Sequence, residues 1–326
     1  MAKLLECIPN FSEGRNEALI NELADAVRVT PGVMLLDYSC DASHNRSVFT
    51  FAGSPEGVLD AAFRCAEIAV LKIDLTKHSG AHPRMGAVDV IPFVPLGDMT
   101  TEECVLISKT LGKKLWDELK LPVFLYEDSA TAPGRKNLAA LRKGQFEGMA
   151  EKIKRPEFKP DYGDELHKTA GIVACGARFP LIAFNINLAT GSLEIAKKIA
   201  KIIRESSGGL KSVKSIGILL EERNIAQISI NMTNYLQTPL YRVLELVKIE
   251  AARYGVSVLG TEIVGLVPMK ALVDCAGYYL MVENFKGENH VLEKHLHGES
   301  PSSPQHPVSG FQAAFALPGT SMCRNS

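Results

Sequence analysis

The chain has 326 residues, of which 46% are hydrophobic and 22% charged, a composition typical of globular proteins with about two domains. Its 36 Lys and Arg residues nearly balance its 37 Asp and Glu residues, so we expect binding neither to nucleic acid nor to an anionic membrane surface. No stretch reaches the ~18 uncharged apolar residues of a membrane span. Seven scattered cysteines without a Cys-x-x-Cys pair favour reduced thiols and a cytoplasmic location.

The first half of the chain is predicted to contain six elements in the order β-α-β-β-α-β. Alternating or continuous apolar runs indicate strands, and apolar stripes at helical spacing indicate helices. The elements are residues 4–11, 16–29, 33–40, 46–53, 55–71 and 86–95.

The second half repeats this order, and a last helix is predicted near 269–282. Its six elements are residues 180–188, 193–203, 213–220, 226–232, 239–254 and 256–264. This order is that of the split βαβ, or ferredoxin-like, unit. We therefore predict an α+β protein with two ferredoxin-like subdomains that arose by duplication.

Two segments fall outside the repeated pattern. Residues 144–178 mix charges with prolines and form a connector of a length that is often functional. The chain becomes polar after about residue 286, with many prolines and serines near its end, so we expect residues 286–326 to be a disordered tail. The predicted domains are thus residues 1–178 and 179–285, followed by this tail.

The densest group of reactive side chains lies in one predicted loop, between His78 and Gly86. The spacing of His78 and His82 could suit a metal on a helix, but Gly80 and Pro83 argue against a helix, so we expect no metal. An imidazole that titrates near neutrality can instead move a proton between two amines. The alternative is a solvated loop histidine.

Arginines in and near these segments can bind carboxylates. Arg84 offers a planar donor fork two residues after His82. Asn45 and Arg46 precede a predicted strand, with Asp37, Ser39 and Asp41 just upstream. These residues are either turn and surface residues or ligands of polar substrate groups, and their spacing leaves both interpretations open.

Several longer segments resemble the glutamate formiminotransferase family. The resemblance is carried by ECIPNFSEGR at 6–15, NRSVFTF at 45–51, HPRMGAVDVIPF at 82–93, GARFPLIAFNINL at 176–188, AQISINM at 226–232 and GLVP at 265–268. It spans both halves to about residue 285. It implies two α/β subdomains with a substrate cleft between them. The bifunctional members continue into a cyclodeaminase domain, which we do not expect in this chain.

The resemblance also implies a reaction and a set of site residues. The reaction moves the formimino group of N-formimino-L-glutamate to N5 of tetrahydrofolate, a co-substrate, in histidine degradation and one-carbon metabolism. The catalytic histidine of the family falls on His82, and an acidic position falls near Ser39, with Asp41 close by. The folate-contacting segment falls on the connector at Gly163, Asp164, Glu165, Leu166, His167, Lys168, Thr169, Ala170, Gly171 and Ile172. Arg46, Arg84 and Arg178 are candidates for binding substrate carboxylates, with Asn45 as a further polar contact.

Two other functions are compatible with the same residues. The first is a folate-binding protein without turnover, and the second is formyl transfer between 5-formyltetrahydrofolate and glutamate. A homodimer is compatible with the sequence, which does not determine the oligomeric state.

Overall fold

The computed structural model describes residues 3–296 and contains two β-sheets with helices packed on them, which confirms the α+β class. The elements in chain order are β1 (Lys3–Cys7), β2 (Asn10–Phe11), α1 (Glu17–Arg28), β3 (Val33–Asp41), β4 (Arg46–Gly53), α2 (Pro55–Lys72), β5 (Val88–Gly97), α3 (Thr101–Leu119), β6 (Val123–Leu125), α4 (Leu138–Arg142), α5 (Gln145–Lys152), β7 (Val173–Ala177), β8 (Ile182–Leu188), α6 (Leu193–Ile203), β9 (Val213–Leu220), β10 (Ile225–Met232), α7 (Leu240–Ala252), β11 (Val258–Val264), α8 (Met269–Tyr279) and α9 (Leu292–Leu296).

The first sheet has seven strands and buries one face under α1, α2 and α3. Its centre is β1, which pairs antiparallel with both β4 and β5. Because side chains alternate along a strand, Phe49 and Phe51 of β4 join the core under the helices. Arg46, Val48 and Thr50 are therefore turned to the opposite face.

The second sheet has the antiparallel order β11-β8-β10-β9 and carries α6 and α7 on one face. Ile182, Phe184 and Ile186 of β8 pack into the core there, whereas Ala183 and Asn185 alternate with them and are only partly buried. The other face of the second sheet is thus the one that α6 and α7 leave open.

The four strands predicted in each half follow the same order in their sheets. In the first half this order is β3-β4-β1-β5, and in the second it is β9-β10-β8-β11. The first sheet is then extended by β7 and β6, which run parallel to β5. This extension brings the connector between the halves into the first sheet.

The structure contains elements that the sequence patterns did not predict. Helix α3 begins with a reciprocal cap between Thr100 and Glu103 and ends at Lys120 in the left-handed conformation, which are ordinary helix signals. The connector holds α5 and β7, and its upstream flank holds α4. Helices α4 and α5 pack on the face of the first sheet opposite α1–α3, around Tyr126 and Leu141.

The end of the described chain corrects the predicted tail boundary. Residues Gly287–His290 form a 3₁₀ turn and α9 follows it. The ring of His290 lies 5.6 Å from that of Phe285, and Lys294 bonds Glu288 at 3.1 Å. The remainder of the predicted tail, residues 297–326, lies outside the described residues.

Within residues 3–296, every helix is too short or too polar to cross a bilayer.

Candidate functional site

A cavity of about 490 Å³ lies between the two halves of the chain. Its floor is the face of the first sheet opposite α1–α3, because Glu6, Arg46 and Thr50 alternate with core residues along β1 and β4. Its other wall comes from β8, β10 and the segment that follows β11. The polar side chains that line it are Glu6, Asn10, Asp37, Ser39, Arg46, Thr50, Tyr126, Arg142, Arg178 and Asn231.

The wall from the second half is mostly apolar. Leu181, Ala183, Val264, Leu266 and Pro268 contribute to it, and the side chains of Val264 and Leu266 remain about half exposed. A flat apolar wall opposite a charged floor is suited to a ligand with a planar ring and an anionic end.

Three arginines reach the cavity, and their surroundings differ. Arg46 is half-buried and makes no side-chain hydrogen bond to the described chain; burial and nearby Arg142 lower its pKa. Arg142 is bound by buried Asp89, with Nε and Nη2 at 2.7 and 2.5 Å from Oδ2. Arg178 donates to the backbone of Phe179 at 3.0 Å.

The carboxylate of Glu6 shares the part of the cavity near Arg178. Burial raises the pKa of Glu6, and the charge of Arg178 partly offsets this rise. The cavity thus has an arginine pair at one place, Arg46 with Arg142, and a carboxylate with an arginine at another.

His82 lies next to the arginine pair. It is half-buried in the loop before β5, and no hydrogen bond joins its ring to any residue in the described part of the chain. Burial lowers its pKa to about 3, and the charges of Arg46 and Arg142 act in the same direction. His82 is therefore neutral at physiological pH, and its ring nitrogens are not engaged by any described residue.

His78 is fixed in a different role by its two hydrogen bonds. Its Nε2 lies 3.1 Å from the carbonyl oxygen of Asn45, and its Nδ1 accepts from Arg84 Nε at 3.1 Å. A carbonyl can only accept and a guanidinium can only donate, so the His78 ring is neutral and both of its nitrogens are engaged. Burial also lowers its pKa. His78 therefore supports the loop, and of these two loop histidines only His82 has a ring without a hydrogen bond to the described chain.

Asn45 links three segments around this loop. Its side-chain oxygen accepts from Gly14 N at 2.9 Å, and its amide nitrogen donates to Ser79 O at 3.1 Å. It is buried and has a left-handed backbone with a φ of 50°, a conformation that asparagine tolerates better than most residues. The sequence offered Asn45 as a substrate contact, but its hydrogen-bonding groups are directed at the loop.

Arg84 is likewise directed away from the cavity, which revises the predicted carboxylate clamp. It is 6% exposed, and its two terminal nitrogens bond the Glu147 carboxylate at 2.6 and 2.9 Å. Gln145 Oε1 and His78 accept its remaining bonds. Gln145 and Glu147 of α5 thus accept hydrogen bonds from the Arg84 guanidinium. Arg84 therefore joins α5 to the loop.

The predicted folate segment, residues 163–172, borders the same loop from the other side. Ile172 N bonds Met85 O at 3.1 Å, Ala87 N bonds Ala170 O at 2.8 Å, and Leu75 N bonds Thr169 O at 2.8 Å. No residue of this segment is among the described residues that line the cavity. Asp164, Glu165 and Lys168 are exposed. A folate contact by this segment stays a prediction.

The structure thus brings only some of the predicted residues together. Arg46 and Arg178 line the cavity and His82 adjoins it, whereas Asp41 is bound to His44 at its edge, with Oδ2 2.9 Å from the ring Nδ1. Sequence reasoning missed Glu6 and Arg142. Alternation with buried Leu5 and Cys7 could have placed Glu6 on the open face.

In the part of the chain that the structure describes, no group of three or more His, Cys, Asp or Glu side chains could hold a metal ion.

A neutral histidine beside a cavity with three arginines is suited to proton transfer on an anionic substrate. Comparison with known families specifies this class. A model of the formiminotransferase domain, N-terminal subdomain, matches residues 4–178, and a model of the formiminotransferase domain matches residues 183–295. The chain belongs to the formiminotransferase family.

Similar proteins agree with this assignment. The chain is 58% identical to the glutamate formimidoyltransferase of Streptococcus pyogenes serotype M1, over 91% of this chain and 100% of that protein. It is 48% identical to the glutamate formimidoyltransferase of Thermoplasma acidophilum, over 90% of this chain and 97% of that protein. The formimidoyltransferase-cyclodeaminase of Mus musculus is 45% identical over 86% of this chain, which spans 53% of its length.

Proposed function

We propose that this protein is a glutamate formimidoyltransferase that moves the formimino group of N-formimino-L-glutamate to N5 of tetrahydrofolate. The observation that carries the proposal is the neutral ring of His82 without a hydrogen bond, next to the arginine pair of a cavity between two subdomains. The six cysteines of the described chain are free. Because thiols stay reduced in the cytosol, we expect the reaction in the cytoplasm. We also propose that each chain has two ferredoxin-like subdomains and that two chains form a homodimer.

The chemistry needs one group that can take and return a proton. N5 of tetrahydrofolate attacks the formimino carbon, and the proton of N5 passes to His82 as the new C–N bond forms. In the tetrahedral adduct, His82 returns the proton to the nitrogen of glutamate, whose bond to that carbon then breaks. One histidine thus serves as base and then as acid, and no proton is gained or lost overall.

The cavity would contribute mainly by orienting two reactants. Both substrates carry carboxylates, for which Arg46 and Arg178 are available, and the apolar wall of the second half offers a surface for the folate rings. Holding both reactants in place can lower a barrier by about 7–11 kcal/mol.

The direct test is to mix the protein with tetrahydrofolate and N-formimino-L-glutamate and to measure released glutamate and the new folate product. We expect stoichiometric release of both. A folate-binding protein without turnover would release none. A protein specific for formyl transfer would be active only with 5-formyltetrahydrofolate and glutamate. Either result would overturn the proposal.

A further inference from the structure

Arg142 is the side chain in the cavity whose position is most completely determined by its neighbours. Asp89, which is 2% exposed, accepts from Nε and Nη2 of Arg142, and its other oxygen accepts from Met85 N at 2.8 Å. Asp89 therefore ties Arg142 to the loop that carries His82. Arg142 Nη1 has no hydrogen-bond partner within residues 3–296, and the residue lines the cavity.

The backbone around Arg142 is fixed by a buried lysine. Lys152 Nζ donates to the carbonyl oxygens of Ala140 and Leu141 at 2.6 Å each and to that of Lys143 at 2.9 Å. These carbonyls flank Arg142 at the end of α4, where helix carbonyls lack partners in the helix. Lys152 thereby fixes the C-terminal end of α4. The backbone of Arg142 is thus positioned by Lys152, and its side chain by Asp89.

The positive charges near His82 are those of Arg46 and Arg142. Three nearby carboxylates are bound to other groups: Asp41 to His44, Asp89 to Arg142, and Glu147 to Arg84. No carboxylate of the described residues forms an ion pair with Arg46, although the charges of Asp89 and Asp41 act on it. Because Arg46 is half-buried, an unpaired charge there is costly, and an anionic ligand group beside Arg46 and Arg142 would offset that cost.

We propose that Arg142 is a specificity-determining residue, which with Arg46 binds the α-carboxylate of the amino-acid substrate beside His82. This inference rests on the proposed function. The formimino nitrogen and the α-carboxylate are attached to the same carbon atom of the substrate, so an anion site next to His82 also brings the reacting carbon next to His82. The γ-carboxylate lies further along the substrate, and Arg178, which also lines the cavity, is available for it.

The bound carboxylate has a second effect, on the basicity of His82. In the free protein, burial and the positive charges of Arg46 and Arg142 lower the pKa of His82 and keep it a poor base. An anion placed between Arg46 and Arg142 offsets their charge and favours the protonated imidazole, because an opposite charge within about 4–6 Å shifts a pKa by about 1–3 units. His82 then becomes an effective base only when the amino-acid substrate is present.

The experiment is an NMR titration of protein labelled with ¹³C at histidine Cε1, with the His82 signal assigned from its loss in His82→Gln. The probes carry a neutral amide in place of the formimino group: N-acetyl-L-glutamate, N-acetyl-2-aminobutanoate, which lacks the γ-carboxylate, and N-acetyl-4-aminobutanoate, which lacks the α-carboxylate. We expect N-acetyl-L-glutamate and N-acetyl-2-aminobutanoate to raise the pKa of His82 by about one unit or more, and N-acetyl-4-aminobutanoate to leave it unchanged.

Variants test which arginines are responsible. In Arg142→Gln and in Arg46→Gln the shift should disappear, and the KM for N-formimino-L-glutamate should rise while that for tetrahydrofolate stays constant. If Arg142→Gln fails to fold because Asp89 is left unpaired, Asp89→Asn/Arg142→Gln removes both charges. Arg46→Gln removes no side-chain hydrogen bond or ion pair to the described residues. Arg64→Gln, on the outer face of α2 and paired with Asp60, is the matched control.

The inference is overturned if none of the three probes shifts the pKa of His82 in the parent protein, if the shift survives in both arginine variants, or if N-acetyl-4-aminobutanoate alone produces it. The titration requires no turnover. Failure of the parent protein to release glutamate would contradict the proposed function alone, whereas normal turnover without a carboxylate-dependent shift would contradict this inference alone.

Discussion

On the first sheet, the face opposite α1–α3 presents Glu6, Asp37 and Arg46 to the cavity, whereas the corresponding face of the second sheet presents Ala183 and Asn231. Both sheets share a strand order, so the backbone does not account for this difference. The charges come from residues at alternate positions in β1, β3 and β4 of the first sheet.

Charge on the second sheet is handled differently. Its Glu262 is bound within the sheet by Asn187 at 2.7 Å and by Gln227 at 3.1 Å, and Gln227 also donates to Asn187 at 2.8 Å. Because these polar groups bind one another, they add no free charge to the cavity. We infer that the two similar units divide the work: the first provides the charged side chains and the proposed proton transfer, and the second provides an apolar surface.

The largest effect expected from this division is the loss of proton transfer from the first half. His82→Ala should lower the transfer rate by about 10²–10⁴-fold, the usual contribution of a general acid and base. Folate affinity should change little, because His82 acts on the reacting atoms. Stopped-flow or steady-state release of glutamate measures the effect. The control is His295→Ala in the second half, where His295 Nε2 lies near Asn289 O. Equal transfer rates for the two variants would contradict a role of His82 in proton transfer.

The same histidine predicts a pH dependence of stability. Its pKa is about 3 in the folded protein against 6.5 for an ordinary histidine, so the unfolded chain binds more protons between these values and stability decreases as pH falls below about 6.5. Each pH unit contributes at most ~1.4 kcal/mol, so about 1–2 kcal/mol should be lost between pH 6.5 and 5. Urea unfolding of the parent and of His82→Gln at several pH values measures this contribution. Parallel pH profiles would show that His82 titrates normally.

Much of the fold was predictable because its signals are local. The predicted strands 33–40 and 213–220 and the helix 193–203 agree with β3, β9 and α6 to within one residue, since each depends on alternation or helical spacing in its own segment. Helix α3 has equally clear local signals and was missed because the β-α-β-β-α-β pattern was complete without it. No strand was predicted in the connector, although it supplies β7 to the first sheet.

The site was predictable only where one segment contains the whole signal. His82 and Arg46 were proposed from their own loop and strand, and the structure places Arg46 in the cavity lining; their roles stay predictions. Arg142 was missed because its role depends on Asp89, which is 53 residues away, and on the end of α5. Arg84 was given a substrate contact because nothing in its loop indicates that Glu147 fills its donor fork. Contacts between distant segments decide which arginine is free, and spacing along the chain does not contain that information.

A smaller effect should separate a supporting arginine from a substrate-binding one. If Arg84 joins α5 to the loop, Arg84→Lys and Glu147→Gln should each lower the free energy of unfolding by about 1 kcal/mol. The effect is small because the Glu147 carboxylate is largely exposed, and solvent weakens such ion pairs. KM for both substrates should change little and in parallel in the two variants. Thermal unfolding and steady-state kinetics provide the two measurements. A rise in KM in Arg84→Lys alone would restore the carboxylate clamp that its sequence position suggested.

The smallest effect concerns the contact between the two halves. Lys214 on β9 lies 3.7 Å from Glu127, which follows β6, so this ion pair joins the second sheet to the first half. Burial raises the pKa of Glu127, and the charges of Lys214 and Arg178 oppose that rise. Lys214 is about half exposed, and such pairs contribute about 0–1 kcal/mol. Lys214→Ala should therefore leave thermal stability nearly unchanged.

The functional result of Lys214→Ala is more informative than its stability. If the second half only provides a surface, a loosened contact should raise the KM for tetrahydrofolate by up to about fivefold, equivalent to ~1 kcal/mol. The kcat should be preserved, because His82, Arg46 and Arg142 belong to the first half and remain in place. Lys197→Ala, on α6 and paired with Glu194 of the same helix, is the matched control. A loss of kcat in Lys214→Ala with an unchanged KM would show instead that the position of the second half affects proton transfer itself, and that the division of work between the halves is incomplete.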